Sequence, residues 1–455
     1  MIPVVTPDEM SSIDAAAPEP VEVLIGRAGA AVARAASTML GGHYGRRVVV
    51  LAGPGNNGAD GRDAARRLRR RGVHATVVEA TARPTSLPPA DLVIDAAFGT
   101  GLSRPFEPPS SNGAPVLAVD IASGVRGDTG ELLGDAMPAQ RTVTFGALKP
   151  GLLLGEGPAR CGEVDVVDIG LDVSRATAFL VTDESAGARI PRRSRDAHKW
   201  RAAVLVIAGS PAMPGAASMA SAAAQRSGAG MVQVATPGRS TSVGPTESVG
   251  VPVPESGWVE SILGGAVDLA RVDAVVIGPG LGTSMATRHE IRDLLARVDV
   301  PVVADGDALT ALGTDAAAVI ARRSAPTILT PHDGEFARLA GEPPSSDRLA
   351  DVRSLAAATG AVVLLKGPTT IVAAPGGEAR FVTAGDERLA TAGTGDVLAG
   401  TIAGLLANGA DPLDAASVGA HVHGRAGTSG PTHGVIATDV IDALPSTLTR
   451  LAGGR

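Results

Sequence analysis

Apolar residues follow two patterns along this chain. Val21, Leu24, Ile25, Ala28, Val32, Ala35 and Met39 recur at helical spacing, which predicts one long helix from Val21 to Leu40. Beyond it they come in short continuous runs: Arg47–Ala52, Val73–Val78, Asp91–Asp95, Val116–Ile121, Thr142–Phe145 and Val164–Ile169. Unbroken runs predict strands covered on both faces, as in a parallel sheet, whereas a strand with one wet face would alternate. The basic-faced segment Arg62–Arg71 predicts a crossover helix between the first two strands. A parallel sheet with helices on its faces follows.

Between Asp183 and Ala197 the pattern stops, and Arg189, Arg192, Arg193 and Arg195 crowd a stretch with no apolar period. A solvated linker is expected at 183–195, between domains 1–182 and 196–455. The rhythm then restarts. Strands are expected at Ala202–Ala208, Val232–Ala235, Ala274–Ile277, Val300–Ala304, Thr327–Leu329 and Val362–Leu365, with helices at Gly215–Arg226 and Gly395–Ala407. The fold class is α/β, in two domains.

Composition narrows the partners. Aromatic residues are 2% of the chain, too few to stack a single-stranded nucleic acid. The formal charge of −7 also disfavours a phosphate backbone. No nucleic-acid partner is expected. Met1–Glu9 has neither the basic nor the apolar region of a secretory leader. The longest apolar run, Val397–Ala407, falls short of the roughly 18–20 residues of a membrane span and is broken by Gly. A cytoplasmic protein without a membrane partner is expected. Cys161 is the single cysteine, so an intrachain disulfide is excluded. Lysine occurs only at Lys149, Lys199 and Lys366. In a chain that otherwise uses Arg, a compact ammonium can mark a chemical need.

Three loops in the first half follow expected strands. Gly53-Pro-Gly-Asn-Asn-Gly-Ala-Asp-Gly61 joins a strand to a helix, where glycine permits close backbone approach and the helix start favours anions. Asp95-Ala-Ala-Phe-Gly-Thr-Gly-Leu102 and Asp120-Ile-Ala-Ser-Gly124 lie on the same sheet edge, where open parallel sheets bind ligands. The oxygens of Asn57, Asp95 and Ser123 suit a hard cation.

This half resembles the NAD(P)H-hydrate epimerase domain, whose pattern is Asn-Asn-Gly-Gly-Asp-Gly, Asp-Ala-x-Phe-Gly-Thr-Gly and Asp-Ile-Pro-Ser-Gly. The resemblance implies a Rossmann-like three-layer parallel sheet. It implies that Asn56, Asn57, Gly58, Ala59, Asp60, Gly99, Thr100, Gly101, Leu102, Ser103, Arg104 and Asp120 hold the nucleotide hydrate. By the same resemblance Asn57, Asp95 and Ser123 bind potassium, and Lys149 acts with Asp120 in proton transfer at the hemiaminal carbon. The chain departs from the pattern at Ala59, where Gly is usual, and at Ala122, where Pro is usual.

In the second half, Gly393-Thr-Gly-Asp-Val-Leu-Ala-Gly400 opens a long helix. Its glycines let backbone N–H groups meet a transferring phosphoryl group at the helix's positive end, with Asp396 placed to accept a hydroxyl proton. The motif is similar to the anion hole of ribokinase-like kinases. Pro214-Gly-Ala-Ala, Gly278-Pro-Gly-Leu-Gly, Thr330-Pro-His-Asp-Gly-Glu and Leu365-Lys-Gly-Pro-Thr-Thr surround it in an order that resembles the ADP/ATP-dependent NAD(P)H-hydrate dehydratases. That resemblance implies a ribokinase-like α/β domain. Ala216, Gly280, His332 and Asp396 would face the hydrate, while Lys366, Gly367, Pro368, Thr369, Thr370 and Gly395 would hold ADP or AMP. His421 and His423 are expected to be structural.

The combined resemblance implies a bifunctional repair enzyme. Its first domain would interconvert the R and S forms of NAD(P)HX, and its second would dehydrate the S form. ADP would be the phosphoryl donor, with Mg²⁺ bridging its phosphates, and AMP and phosphate would be released; the residues alone leave ATP open. A homo-oligomer is expected. Two rivals differ in kind. A small-molecule hydroxyl kinase would leave a stable phosphoester, and a nucleotide sensor would make the first half non-catalytic.

Overall fold

In the computed structural model, which describes residues 1–239 and 243–453, the chain forms two compact units. One is Ile2–Ala178; the other is Phe179–Arg455, with which Met1 groups.

The sheet of the first unit runs in the order His74–Glu79, Arg47–Ala52, Leu92–Ala96, Val116–Val119, Arg141–Phe145 and Glu163–Val167. Each neighbouring pair is parallel. The periodic segment Val21–Leu40 is a single helix of 20 residues. By length and mean composition it is long and apolar enough to cross a membrane, although Glu22, Arg27 and Arg34 interrupt its apolar residues. Leu24, Ala28, Ala31, Val32, Ala36 and Leu40 of this helix lie in the unit's core.

The crossover helix begins at Asn56 and ends at Arg70, six residues earlier than the basic face suggested. Asn56 and Asn57 occupy its first turn, where short polar side chains are well tolerated. It packs on Val21–Leu40 at Gly29, where a Cβ would collide with the side chain of Asp63. Asp63 in turn pairs with Arg66 (2.6 Å) and Arg67 (2.5 Å).

In the second unit the strands run Ala379–Val382, Thr370–Ala373, Val362–Leu365, Thr327–Leu329, Val302–Ala304, Ala274–Ile277, Ala203–Ile207, Met231–Ala235 and Val249–Val251. The pairs from Val362–Leu365 to Val249–Val251 are parallel. The antiparallel pairs made by Thr370–Ala373 with its neighbours on either side were not anticipated, nor was the edge strand Val249–Val251. The helix Thr394–Ala407 is buried along almost its whole length. It approaches Pro214–Arg226 through Gly400 and Gly404, where a Cβ would meet the carbonyl oxygens of Ala220 and Ala224. With few aromatics available, close backbone approach replaces bulk in this core.

The expected linker is corrected in part. Asp183–Gly187 is a helix, capped by Thr182, whose hydroxyl oxygen accepts the Ser185 amide (3.2 Å). Val181 and Ala186 are buried in the core of the second unit, and Val181 donates its amide to the Phe381 carbonyl (2.9 Å). Asp183 binds the His421 ring (2.7 Å) and the Arg425 guanidinium (2.7 Å). Charged residues look solvated in sequence; here their partners lie more than two hundred positions away. Residues 191–194 carry no helix or strand.

If 178–190 is part of the second unit, residues 177–455 should fold as an independent fragment. Residues 196–455, stripped of Val181, Ala186 and the carboxylate that holds His421, should be less stable by about 2–5 kcal/mol. Denaturant melts of the two fragments measure this, and equal midpoints would return the segment to the linker.

Candidate functional sites at two strand edges

Both groups of expected residues lie at the carboxyl ends of parallel strands. In the first unit they surround a cavity of about 690 Å³. Gly53 and Gly58 let the loop beside it close on itself: a Cβ on Gly53 would strike the Ala97 carbonyl, and one on Gly58 the Gly53 carbonyl. Asn56, Asn57, Asp60, Gly99, Thr100, Gly101, Leu102, Asp120 and Lys149 line the wall. Gly58, Ala59, Ser103 and Arg104 do not line it, and Ser103 and Arg104 are exposed. The extra methyl of Ala59 therefore stays out of the cavity.

Asp120 takes a left-handed backbone conformation (φ 67°), strained for a residue with a Cβ although Asp tolerates it better than most. Two contacts hold it there. Its amide donates to the Val143 carbonyl (2.7 Å), and its carboxylate receives the Lys149 ammonium at 2.5 Å and the Thr144 hydroxyl at 3.0 Å. Lys149 is 1% exposed and also bonds Thr144 (2.8 Å) and the Phe145 carbonyl (3.3 Å). This lysine is aimed at one carboxylate.

Asp95 is fully buried, and its hydrogen-bond partners are neutral: the Ser123 hydroxyl (2.7 Å), the Ser123 amide (2.9 Å) and the Ala97 amide (3.3 Å). Burial raises its pKa, opposed by those bonds. The same bonds anchor the loop at Ala122, where the family's usual Pro is missing. Asn57 lies against Gly99, and its buried Nδ2 has no hydrogen-bond partner. A buried carboxylate with neutral partners, a hydroxyl and an amide form an oxygen-rich donor set that fits a monovalent cation.

Asp60 faces the same cavity. Its pKa is raised to about 8, first by burial and then by the charges of Asp120, Asp63 and Asp14. Met10 and Asp14, on the helix Pro7–Ala15, also line the wall and were not anticipated. The available signal was local, the capping box of Thr6 and Glu9, and it announces a helix without saying where the helix packs.

In the second unit, Gly393 adopts φ 90° and opens the helix that carries Asp396. A Cβ on Gly395 would lie 3.7 Å from Asp305 Oδ2 and 3.8 Å from Lys366 Nζ, so the glycine turn, an aspartate and a lysine converge. Lys366 binds Asp305 at 2.8 Å and approaches Glu335 at 3.6 Å. Burial would lower its pKa, but those two carboxylates raise it on balance. Asp396 is pushed up to about 6 by burial and the Asp305 and Asp307 charges, with Lys366 opposing.

Gly280, at φ 64°, lies against Ala216, and a Cβ there would be 2.9 Å from the Ala216 methyl. His332 caps the helix Asp333–Ala340, its Nδ1 accepting the Gly334 and Glu335 amides (3.0 and 3.3 Å) while the rest of the ring is exposed. Gly367 faces Arg348, which also pairs with Asp333 (2.7 Å). Pro368 and Thr369 precede the strand that Thr370 begins. His421 and His423 are buried on the helix Pro412–Gly427. Asp305 is the residue that sequence reasoning missed here, while Thr330 and Glu335 lie in a motif it named without giving either a role.

Residues 204–447 match the family model described as NAD(P)H-hydrate dehydratase, and residues 21–87 and 78–151 match that of the YjeF-related protein N-terminus. The bifunctional NAD(P)H-hydrate repair enzyme of Salinibacter ruber is 38% identical over 472 residues, covering 88% of this chain and 86% of that one. The chain belongs to the bifunctional NAD(P)H-hydrate repair enzymes. Within this family the Mycobacterium tuberculosis enzyme is 40% identical over 415 residues, covering 85% of this chain and 84% of its own. Among solved structures, a ribokinase-like superfamily protein of Enterococcus faecalis superposes with a TM-score of 0.53 at 26% identity, covering 62% of this chain and 99% of its own. The second unit is therefore ribokinase-like. For a repair enzyme, the helix bearing Met10 and Asp14 is notable because it precedes the matched residues, which begin at Val21.

The Asp60 carboxyl gives a pH-dependent stability. Its folded pKa of about 8 lies above its ordinary 3.8, so between these values the folded state holds a proton that the unfolded state releases. Stability from this group is therefore lost as pH rises through that window. Asp60→Asn should match the parent in denaturant melts near pH 4 and exceed it near pH 8. A constant difference across that range would mean Asp60 is ionised throughout.

Proposed function

We propose that the first unit epimerises the R and S forms of hydrated NAD(P)H, and that the second dehydrates the S form with ADP, releasing AMP and phosphate. The observation that carries this reading is the pair of part-buried lysine–aspartate contacts, Lys149–Asp120 and Lys366–Asp305, one at the sheet edge of each unit. Two of the chain's scarce lysines are placed where proton transfer and phosphate binding need a compact charge.

In the first unit the hydrate lies along the cavity wall formed by Asn56–Asp60 and Gly99–Leu102. The hydroxyl on C6, next to the ring nitrogen, gives its proton to Asp120 as the C6–N bond opens; closure on the other face returns it. Lys149 stabilises the Asp120 carboxylate and holds its orientation. Potassium held by Asn57, Asp95 and Ser123 would supply a fixed positive charge beside the buried Asp95 carboxylate.

In the second unit Asp396 accepts the C6 hydroxyl proton while the oxygen takes the phosphoryl group. Backbone N–H groups of Gly393–Gly395 and the Lys366 ammonium receive the negative charge that builds during transfer. The ring nitrogen then expels phosphate, a far better leaving group than hydroxide, and loss of the C5 proton from the resulting iminium, to the departing phosphate or to solvent, forms the C5–C6 double bond and restores the reduced nicotinamide. Lys366–Thr370 and Gly395 hold the adenine nucleotide, while Ala216, Gly280 and the exposed edge of His332 face the hydrate. Mg²⁺ would neutralise the donor phosphates. This reading places the enzyme in the cytoplasm.

The test is to mix the protein with both NADHX epimers, ADP and Mg²⁺ and follow the reduced-nicotinamide absorbance. Full recovery is expected, whereas a stable phosphoester would make the second unit a hydroxyl kinase. Asp396→Asn should lose about 10²–10⁴ in dehydration while the epimers still interconvert and nucleotide affinity stays near that of the parent. Because Asp396 titrates near 6, dehydration by the parent should fall as pH drops through that value.

Asp95→Ala should weaken epimerisation and its response to potassium, leaving dehydration of the S form intact. An unchanged potassium response in initial-rate measurements would remove the cation from Asn57, Asp95 and Ser123.

A further inference from the structure

We propose that Asp305 is a positioning residue of the dehydratase site, fixing the Lys366 ammonium beside the Gly393–Gly395 turn and keeping Asp396 a competent proton acceptor. The proposal rests on the dehydration reading given above.

A carboxylate beside an anion-binding turn needs a reason, since alone it would repel the phosphoryl group. Asp305 follows the strand Val302–Ala304 and is 4% exposed. Its Oδ1 receives both the Thr330 hydroxyl (2.7 Å) and the Lys366 ammonium (2.8 Å). These residues come from three adjacent parallel strands, Val302–Ala304, Thr327–Leu329 and Val362–Leu365, so the sheet itself sets the spacing of the contact. The second oxygen, Oδ2, faces the position that a side chain on Gly395 would fill. Asp305 thus touches the lysine through one oxygen and faces the glycine turn with the other.

The charges around Asp396 come from several elements. Asp305 and Lys366 sit at strand ends, and Asp307 lies on the helix Asp307–Leu312. Glu335 reaches Lys366 from the helix Asp333–Ala340. His423, from the helix Pro412–Gly427, is held neutral by burial, its pKa lowered to about 4. After burial, Asp305 makes the largest contribution to the raised pKa of Asp396. A base that titrates near neutrality accepts a proton more effectively than an ordinary carboxylate while remaining ionised at working pH.

Asp305→Asn keeps the shape and can still accept from Thr330, but it removes the charge. Lys366 then opposes protonation of Asp396 with one carboxylate fewer to balance it, so the acid limb of the dehydration pH profile should move to lower pH. The kcat should fall roughly 10- to 100-fold from lost alignment, with a smaller change in KM for ADP. Thr330→Val, which loosens Asp305 without discharging it, should lower kcat and leave the acid limb in place. A contact that only held the strands together would lower the melting temperature without moving that limb. If Asp305→Asn does not fold, Asp305→Glu carries the test, because it restores the charge and should keep the parent's acid limb while lowering kcat.

An Asp305→Asn enzyme with the parent's kcat and pH profile would overturn the proposal, as would an Asp305→Glu enzyme whose acid limb moves. A parent that consumes no hydrate overturns the dehydration reading and this inference together. A parent that works alongside an unaffected Asp305→Asn variant overturns only the inference.

Discussion

The structure depends on one constraint, that its parallel strands are buried on both faces and several of the helices packed on them are made largely of small residues. Strands such as Leu92–Ala96 and Ala203–Ile207 are buried throughout. Polar groups inside such a sheet would need partners for every atom. The carboxyl ends of the strands escape this, because there the backbone turns away into loops and helix starts. The tight seam at Gly400 and Gly404 keeps the helix Thr394–Ala407 against its neighbour, and so fixes where its N-terminus meets the strand ends.

Each edge carries a lysine paired with an aspartate, and neither pair is well explained as a source of stability. Removing two charges from water costs about as much as their attraction returns, and an apolar pair of similar size is often as stable. The two pairs differ in design. Lys149 is almost wholly buried and holds an Asp120 whose backbone is strained. Lys366 is shared between Asp305 and Glu335 beside the glycine turn that opens the helix Thr394–Ala407. The first arrangement suits moving a proton, and the second suits receiving a phosphate while keeping a nearby base responsive.

The lesson of the comparison lies in particular residues. The turn at Gly393 was legible because a glycine-rich segment before an apolar run marks a helix start within a few residues. Asn57, Asp95 and Ser123 were legible as strand-end oxygens, and the structure places Asp95 and Ser123 in direct contact. Asp305 was not legible: Asp-Gly-Asp after a strand reads as an ordinary turn until Thr330 and Lys366 are seen bonded to it. The helix Asp183–Gly187 was read as linker for a related reason, since Asp183 is paired with His421 and Arg425, which are distant in sequence.

By itself the sequence determined the class of fold, the two-part organisation and the loops that carry chemistry, because periodicity, glycine turns and motif order act over short distances. Tertiary structure alone decided which charges meet. It placed Asp14 and Asp60 on one cavity wall, kept Ala59, Ser103 and Arg104 off it, and closed Asp305 onto Lys366 across 61 positions of chain. Burial and Coulomb interactions depend on separation in space, and spacing along the chain carries no record of that separation until the strands have taken their order.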